Sequence, residues 1–203
     1  MKLCGDFWVP DIEEPALASI QKGGAQVGHI AIAMKYVTNH RIAVDVGANV
    51  GTWTRPLCGM FTSVVAFEPA PDTFDCLLLN CEGAITYNAG LSDEEGMATV
   101  MADDKYPTGT GSRWLKLGGD QVRVMTLDSL KLEDVDFMKI DVEGMELRVL
   151  RGAIETLKRC KPVLVIEDKA KLRPRHNLDA PWEFLKSLGY EHEESVGCDR
   201  IYI

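Results

Sequence analysis

Short apolar runs alternate along the chain with segments whose apolar residues recur at helical spacing. Residues 42–44 and 64–67 are apolar runs of strand length, and each is followed at once by turn-forming residues. Prolines after the second run end that strand, and helical spacing predicts a helix over residues 72–81. Strands that alternate with helices in this way predict an α/β fold with a mostly parallel sheet.

The second half of the chain continues the same alternation. Residues 136–140 and 163–166 are predicted to be further strands of the sheet. The other predicted elements are a helix near residues 29–37, a strand at 85–88 with a loop at 89–93, an additional hairpin formed by 97–101 and 122–125, a helix at 182–188 ending at Gly189, and a terminal hairpin formed by 190–196 and 200–203 around Gly197.

The turn after the first of these strands carries the clearest chemical signal. The run from Asp45 to Gly51 reads Asp-Val-Gly-Ala-Asn-Val-Gly, and a glycine-rich turn between a strand and a helix is where nucleotide-like cofactors bind in open sheets. A dinucleotide fingerprint would need glycines where the chain has Asn49 and Thr52, which disfavours a nicotinamide cofactor. The pattern resembles instead the first motif of class I S-adenosylmethionine-dependent methyltransferases. In it, the Asp45 carboxylate is suited to hold a ligand ammonium.

Further candidate ligands follow the next two strands. Glu68 ends the second strand, and its two carboxylate oxygens suit a ribose diol. Leu91, Ser92 and Asp93 follow the third strand and are candidates for the wall and edge of an adenine site. The segment 108–114 is rich in glycine and hydroxyl residues, and it is either a loop that contacts the substrate or a plain surface loop.

The strand at residues 136–140 breaks the rule for a buried parallel strand. Such strands are almost wholly apolar, but this one carries Lys139 and leads into Asp141. Buried charges cost free energy unless they are paired or used. Because they are near the carboxyl end of the strand, both groups are expected to open into the ligand crevice. A purely structural Lys–Asp pair is the alternative.

Five segments in the same order resemble the FkbM-type methyltransferases. They are Asp45 to Gly51, Phe67-Glu68-Pro69, the loop from Thr108 to Ser112, Thr126-Leu127-Asp128-Ser129-Leu130, and the run from Phe137 to Glu146 with its continuation to Ala153. The resemblance implies a Rossmann-like class I methyltransferase fold, with a mostly parallel seven-stranded sheet, helices on both faces and a C-terminal antiparallel hairpin. It also implies S-adenosylmethionine as cofactor and O-methylation, often of sugars or other small hydroxylated metabolites.

Site residues carry over from the family by position. Asp45, Gly47, Asn49 and Gly51 would cradle the methionine end of the cofactor, Glu68 would bind its ribose, and Ser92 and Asp141 would complete the cofactor site. Asp141 and Glu143 resemble pocket acids near the reacting centre, and Glu167 ends the strand at 163–166. One of Asp141, Glu143 and Glu167 is predicted to be the general base, because a sugar hydroxyl is a poor nucleophile. A bridging Mg²⁺ is an open alternative.

The chain departs from the family pattern directly after Glu167. Many relatives have a short apolar stretch that contains histidine, whereas residues 168–176 here include Lys169, Lys171, Arg173 and Arg175. This basic cluster either attracts an anionic acceptor or is a solvated loop. The acceptor is therefore expected to be a small hydroxylated molecule of unspecified identity. A catalytically inactive S-adenosylmethionine-binding scaffold is the alternative function.

Composition limits the classes of partner. A formal net charge of −9 disfavours nucleic acid and anionic membrane surfaces as partners. The six cysteines form no C-x-x-C pair and no zinc-ligand spacing, as in a reduced cytosolic protein. No signal peptide or run of membrane-spanning length is recognised, which predicts a cytoplasmic protein. We expect residues 1–40 to be a helical lead-in and 41–203 a single methyltransferase domain, with the oligomeric state left open.

Overall fold

Residues 1–11, 25–102, 110–168 and 180–203 are described by a computed structural model of the chain. The main sheet has seven strands, in the order β12-β13-β11-β10-β3-β4-β5. Their bounds are β3 Ile42–Val46, β4 Ser63–Phe67, β5 Ile85–Tyr87, β10 Val135–Ile140, β11 Val163–Glu167, β12 His192–Val196 and β13 Asp199–Tyr202. All pairings from β5 to β11 are parallel, whereas β13 is antiparallel to both β11 and β12. The predicted sheet with its antiparallel C-terminal hairpin is confirmed.

Helices cover both faces of this sheet. Alternate residues of β3 and β10 face opposite sides, so Val44 and Met138 pack in one core while Ala43 and Phe137 pack in the other. The helices are α1 Ala25–Ala33, α2 Thr54–Cys58, α3 Pro71–Asn80, α4 Glu146–Arg151, α5 Ile154–Cys160 and α6 Pro181–Ser187. The first core includes residues of α4, α5 and α6, and the second includes residues of α1 and α2.

The N-terminal helix lies earlier than the sequence pattern predicts, at Ala25–Ala33 rather than near residues 29–37. Ile30 and Ala33 are buried in the core that contains Ala43 and Phe137, so this helix is packed on the main sheet. Before it, β1 (Lys2–Cys4) and β2 (Phe7–Val9) form an antiparallel hairpin. Among the described residues, no helix has both the length and the apolar character needed to span a membrane.

A second sheet of four strands lies between β5 and β10 in the sequence, in the order β6-β9-β7-β8. Its strands are β6 Ala89–Leu91, β7 Gly96–Met101, β8 Trp114–Leu117 and β9 Val122–Met125. The predicted antiparallel pairing of 97–101 with 122–125 is confirmed, although β8 lies between them in the sequence. The prediction of a loop at 89–93 is wrong for residues 89–91, because they pair in parallel with β9. Gly90 permits this arrangement, since a Cβ there would overlap the Leu115 side chain.

Candidate functional site

A crevice of about 890 Å³, measured out to its open mouth, lies at the carboxyl ends of β3, β4 and β10. This is the edge of an open α/β sheet at which ligands bind. The residues predicted from the sequence that line it are Asp45, Gly47, Asn49, Glu68 and Asp141. Gly51, Ser92, Glu143 and Glu167 are not part of its lining.

Two glycines shape the turn after β3 in different ways. Gly47 has a φ of +82°, and a Cβ there would overlap the backbone carbonyl of Asp141. This close approach brings the turn against the end of β10. Gly51 has a φ of +96° and packs instead against Leu77 and Cys81, at the back of the turn. Gly51 therefore supports the shape of the crevice rather than its surface.

Asp45 is almost fully buried at the end of β3, with 1% of its surface exposed. The Thr54 hydroxyl donates a 2.6 Å hydrogen bond to its Oδ2 atom. Burial raises the pKa of Asp45 to about 6, although the Thr54 hydrogen bond and the positive charge of Lys139 oppose that rise. Asp45 is thus a fixed carboxylate at the floor of the crevice, suited to a positively charged ligand group.

Glu68 is held by backbone groups from two turns. The Asn49 N–H donates to Oε2 at 3.0 Å, and the Ala70 N–H donates to Oε1 at 2.9 Å. Burial raises its pKa to about 7, and these two hydrogen bonds reduce the rise. Each carboxylate oxygen has a second acceptor position. Two oriented oxygens that can each accept another hydrogen bond match the two hydroxyls of a ribose.

Three acids gather at the ends of β10 and β11. Carboxylate oxygens of Asp141, Glu143 and Glu167 all lie within 4.8 Å of one another. Only Asp141 reaches the crevice lining. Glu143 is buried and adopts a φ of +56°, which is uncommon for a residue with a side chain. Carboxylates and water are the ligands that Mg²⁺ prefers, but acids also gather at pockets without a metal, so the cluster by itself does not establish a metal site.

Lys139 is a buried cation between these acids and Asp199 of β13, on one face of the sheet. Its Nζ atom lies 2.8 Å from Asp199 Oδ1 and 3.7 Å from Asp141 Oδ2. Burial would lower the pKa of Lys139, but the negative charges of Asp141 and Asp199 outweigh it, and the pKa is raised. Lys139 and Asp141 both line the crevice, as the sequence predicts, and they also form the ion pair that was the alternative. The closer partner of Lys139, Asp199, was not predicted.

Ser92, a predicted cofactor residue, lies outside the crevice lining. It is fully buried, and its hydroxyl donates to Asp93 Oδ1 at 2.9 Å. Asp93 in turn forms a 2.7 Å ion pair with Arg148. Of the residues after the third strand, Gly90 and Leu91 line the crevice. The predicted adenine contact at Leu91 therefore has support from the geometry, whereas Ser92 fixes the strand behind it.

Several crevice residues were not singled out by the sequence analysis, notably Arg113, Trp53 and Gln26. Arg113 donates from both terminal nitrogens to the two oxygens of Asp72, at the first turn of α3. The glycine-rich loop pattern does find this segment, since Thr110 and Gly111 line the crevice as well. Thr108, Gly109 and the whole basic cluster from Lys169 to Arg175 lie outside the described residues.

Comparison with known proteins identifies related sequences. A sequence profile for the methyltransferase FkbM domain matches residues 45–192. The hexuronic acid methyltransferase AglP of Haloferax volcanii is 31% identical over 170 residues, which are 78% of this chain and 68% of AglP. Methyltransferase 1 of Beauveria bassiana is 30% identical over 141 residues. That match includes 54% of this chain and 57% of the fungal protein.

Solved structures support the same fold. The methyltransferase FkbM of Methylobacillus flagellatus KT matches with a TM-score of 0.52 and 21% identity. The match covers 80% of this chain, which spans less than half of that protein, 43%. A precorrin 8W decarboxylase from Methanobacterium thermoautotrophicum matches with a TM-score of 0.53 and 17% identity, over 100% of this chain and 98% of that one. At these identities the structures establish the fold alone.

Proposed function

Because the chain belongs to the FkbM family of S-adenosylmethionine-dependent methyltransferases, we propose that it methylates a hydroxyl group of an acidic sugar or a similar small metabolite. The observation that carries the proposal is the set of acids around one crevice at the carboxyl edge of the sheet. Two of them, Asp45 and Glu68, suit a cofactor, while Asp141 borders the same space. The hexuronic acid named for the AglP relative supports an acidic sugar as the acceptor.

The polar and apolar groups of the crevice fit the cofactor. Asp45 offers a buried carboxylate to the ammonium of the methionine end. Glu68 offers two oriented oxygens to the ribose hydroxyls. Leu91 and Leu115 supply apolar surface on the same wall for a base. When it is bound, the cofactor supplies an electrophilic methyl group on a sulfonium.

The chain's own residues then align the acceptor and receive its proton. Asp141 is the best placed of the three candidate bases, because it alone reaches the crevice lining. A carboxylate there can accept the hydroxyl proton as the oxygen becomes nucleophilic. Glu143 and Glu167, whose oxygens lie within 4.8 Å of the others, hold negative charge behind it. Apolar walls that include Trp53 and Met145 limit access of water to the same space.

Calorimetric titration with S-adenosylmethionine and S-adenosylhomocysteine tests the cofactor half. We expect both to bind, and Glu68→Ala to weaken binding by at least about tenfold through loss of the ribose contact. Glu155→Ala, which removes an exposed acid of α5, is the control and should bind normally. NAD serves as a parallel ligand and should not bind. Failure of both sulfur ligands to bind would refute the proposal.

Formation of S-adenosylhomocysteine with hexuronic acids and neutral hexoses as acceptors tests the chemistry. We expect turnover with a hexuronic acid, and its loss in Asp141→Asn. Turnover that survives replacement of Asp141, Glu143 and Glu167 together would show that none of them is the base. Cofactor binding without turnover on any hydroxylated acceptor would favour a catalytically inactive binding scaffold instead.

A further inference from the structure

The contacts of Lys139 extend from the crevice across β11 to β13, on one face of the main sheet. Its side chain is 2% exposed, and its ammonium lies 5.2 Å from the centre of the Trp53 ring. On one side is Asp141, the candidate base, and on the other is Asp199, the first residue of β13. A cation buried this deeply is retained only where nearby anions compensate for its desolvation.

Asp199 holds two partners at once. Its Oδ1 accepts from Lys139 at 2.8 Å, while its Oδ2 lies 2.6 Å from His29 Nδ1, so the ring nitrogen donates to the carboxylate. His29 belongs to α1, which precedes β3 in the sequence. Both His29 and Asp199 lie outside residues 45–192, the part of the chain that matches the FkbM profile. The family match therefore assigns no role to either residue.

The distances rank the two anions around Lys139. The contact with Asp199 is a hydrogen-bonded ion pair, whereas the 3.7 Å separation from Asp141 is too long for a good hydrogen bond. We propose that Asp199, oriented by His29, is a positioning residue that anchors the Lys139 ammonium and so sets the positive charge felt by Asp141. This inference rests on the proposed function, in which Asp141 receives the acceptor's proton.

Other acidic side chains lie near Lys139 and Asp141 and also affect their protonation. Lys139 also interacts with Glu167 of β11, and Asp141 interacts with Asp45 of β3 and with Glu146 of α4. Glu143, in the turn after β10, completes the group. All of these are acids, and the Lys139 charge interacts with Asp45, Asp141, Asp199 and Glu167. Its position therefore has a large effect on their protonation.

Removing the Asp199 anion and removing the Lys139 cation should shift the pKa of Asp141 in opposite directions. Asp199→Asn removes the closer anion but keeps the size of the side chain, so the Lys139 charge acts more strongly on Asp141 and lowers its pKa. Combining Asp199→Asn with Lys139→Met removes the cation as well, so the pKa of Asp141 rises. Shifts of about one unit are expected in each direction, the usual size for a charge at this range.

Carbon-13 NMR titration of the Asp141 carboxyl in the cofactor-free protein measures these shifts directly. The matched control is Asp136→Asn, which breaks an ion pair with Arg41 at the other end of the same strand. Opposite shifts in the two test variants, with none in the control, would support the proposal. Unchanged Asp141 titration in all of them, or equal shifts in the Asp199 variant and the control, would overturn it.

Kinetics provide the second readout. Asp199→Asn should lower kcat roughly three- to tenfold, because a carboxylate of lower pKa is a weaker base. The dissociation constant of S-adenosylhomocysteine should stay within about twofold of wild type, since Asp199 is not part of the crevice lining. Equal losses in kcat and ligand affinity would indicate a merely structural role. If no acceptor is methylated at all, the proposed function fails, but the NMR titration still decides the positioning role.

Two variants of His29 test its role and leave the charged side chains of Lys139, Asp141 and Asp199 in place. His29→Gln keeps a side-chain N–H that can donate to Asp199, whereas His29→Leu removes the donor. We expect His29→Leu to shift the Asp141 titration in the same direction as Asp199→Asn, by less, and His29→Gln to restore most of the wild-type value. Identical titrations in both His29 variants and wild type would remove His29 from the network.

Discussion

Glu68 shows how a single residue of the crevice is held where its charge is costly. It is 8% exposed, and two backbone N–H groups fix its carboxylate between the turns after β3 and β4. These hydrogen bonds do not fully offset the loss of water, so its pKa is raised from 4.5 to about 7. The orientation that suits a ribose is therefore maintained at the expense of stability near neutral pH.

This cost predicts a pH dependence of stability in the ligand-free protein. Burial favours the protonated form of Glu68 in the folded protein. The contribution of this group to the free energy of unfolding is therefore fully present below pH 4.5 and is lost as pH rises through about 7. Relative to Glu68→Gln, the wild type should lose roughly 3 kcal/mol of unfolding free energy over that window. Urea unfolding at several pH values measures the difference. Parallel pH profiles for the two proteins would contradict the prediction, and Glu155→Gln is the control with no expected change.

Residue types alone were enough to locate part of the site. Asp45, Gly47, Asn49, Glu68 and Asp141 all line the crevice, because each lies at or soon after the carboxyl end of a strand and parallel strands end at one edge of the sheet. Asp199 was missed for a physical reason. Its importance comes from register, since it lies opposite Glu167 in the antiparallel pair of β11 and β13. Nothing in the local sequence indicates which distant side chain completes a buried ion pair.

Among the elements, the segment from Thr110 to Trp114 is joined to α3 through one ion pair. The Arg113 side chain bonds both oxygens of Asp72 and also donates to the Thr73 hydroxyl at 3.2 Å. The hydrogen bonds with Arg113 lower the pKa of Asp72. The pair therefore fixes the segment as a wall of the crevice, close to Glu68.

A double-mutant cycle tests whether this pair supports ligand binding. Arg113→Gln and Asp72→Asn should each weaken S-adenosylhomocysteine binding about fivefold, the effect of roughly 1 kcal/mol. The double variant should bind no worse than either single variant, because both remove the same bond. Calorimetry measures the three affinities. Additive losses, or unchanged affinities with only thermal stability reduced, would exclude a shared role in binding.

Elements with a strong local pattern were predicted well and those that depend on distant pairing were not. The strands β3, β4, β10 and β11 are largely apolar segments that end at or just before a glycine or an acid, and their positions are confirmed. The three-residue strand β6 is too short to show a period, and it exists because β9 pairs with it. The helix α1 was misplaced because its apolar residues do not mark its first turn.

For the whole molecule, charge is the property that most constrains the acceptor. The net charge of −9 opposes the approach of an anionic molecule. Four cations between Lys169 and Arg175 follow β11 in the sequence and are a local exception to this balance. Long-range attraction from such a cluster would raise the encounter rate with a hexuronic acid, as proposed for the acceptor.

Replacement of Lys169, Lys171, Arg173 and Arg175 by Ser tests this effect. We expect KM for a hexuronic acid to rise about fivefold at low ionic strength, and the difference from wild type to shrink in high salt as screening increases. A neutral hexose methylated by the same protein is the control and should show no salt-dependent difference. Equal KM values for the two proteins at low salt would assign these residues to a solvated loop.

The neighbouring strands β3 and β10 also determine how the chain can fold. Asp45 and Lys139 are paired in register, although β4 to β9 and both connecting helices lie between them in the sequence. Contacts between such distant residues must repay a loop-closure entropy before they contribute stability, and folds rich in them are slow to form. The floor of the crevice therefore assembles only when the two ends of this long segment meet. During refolding, recovery of ligand binding should follow the slowest phase, while helical signal returns earlier.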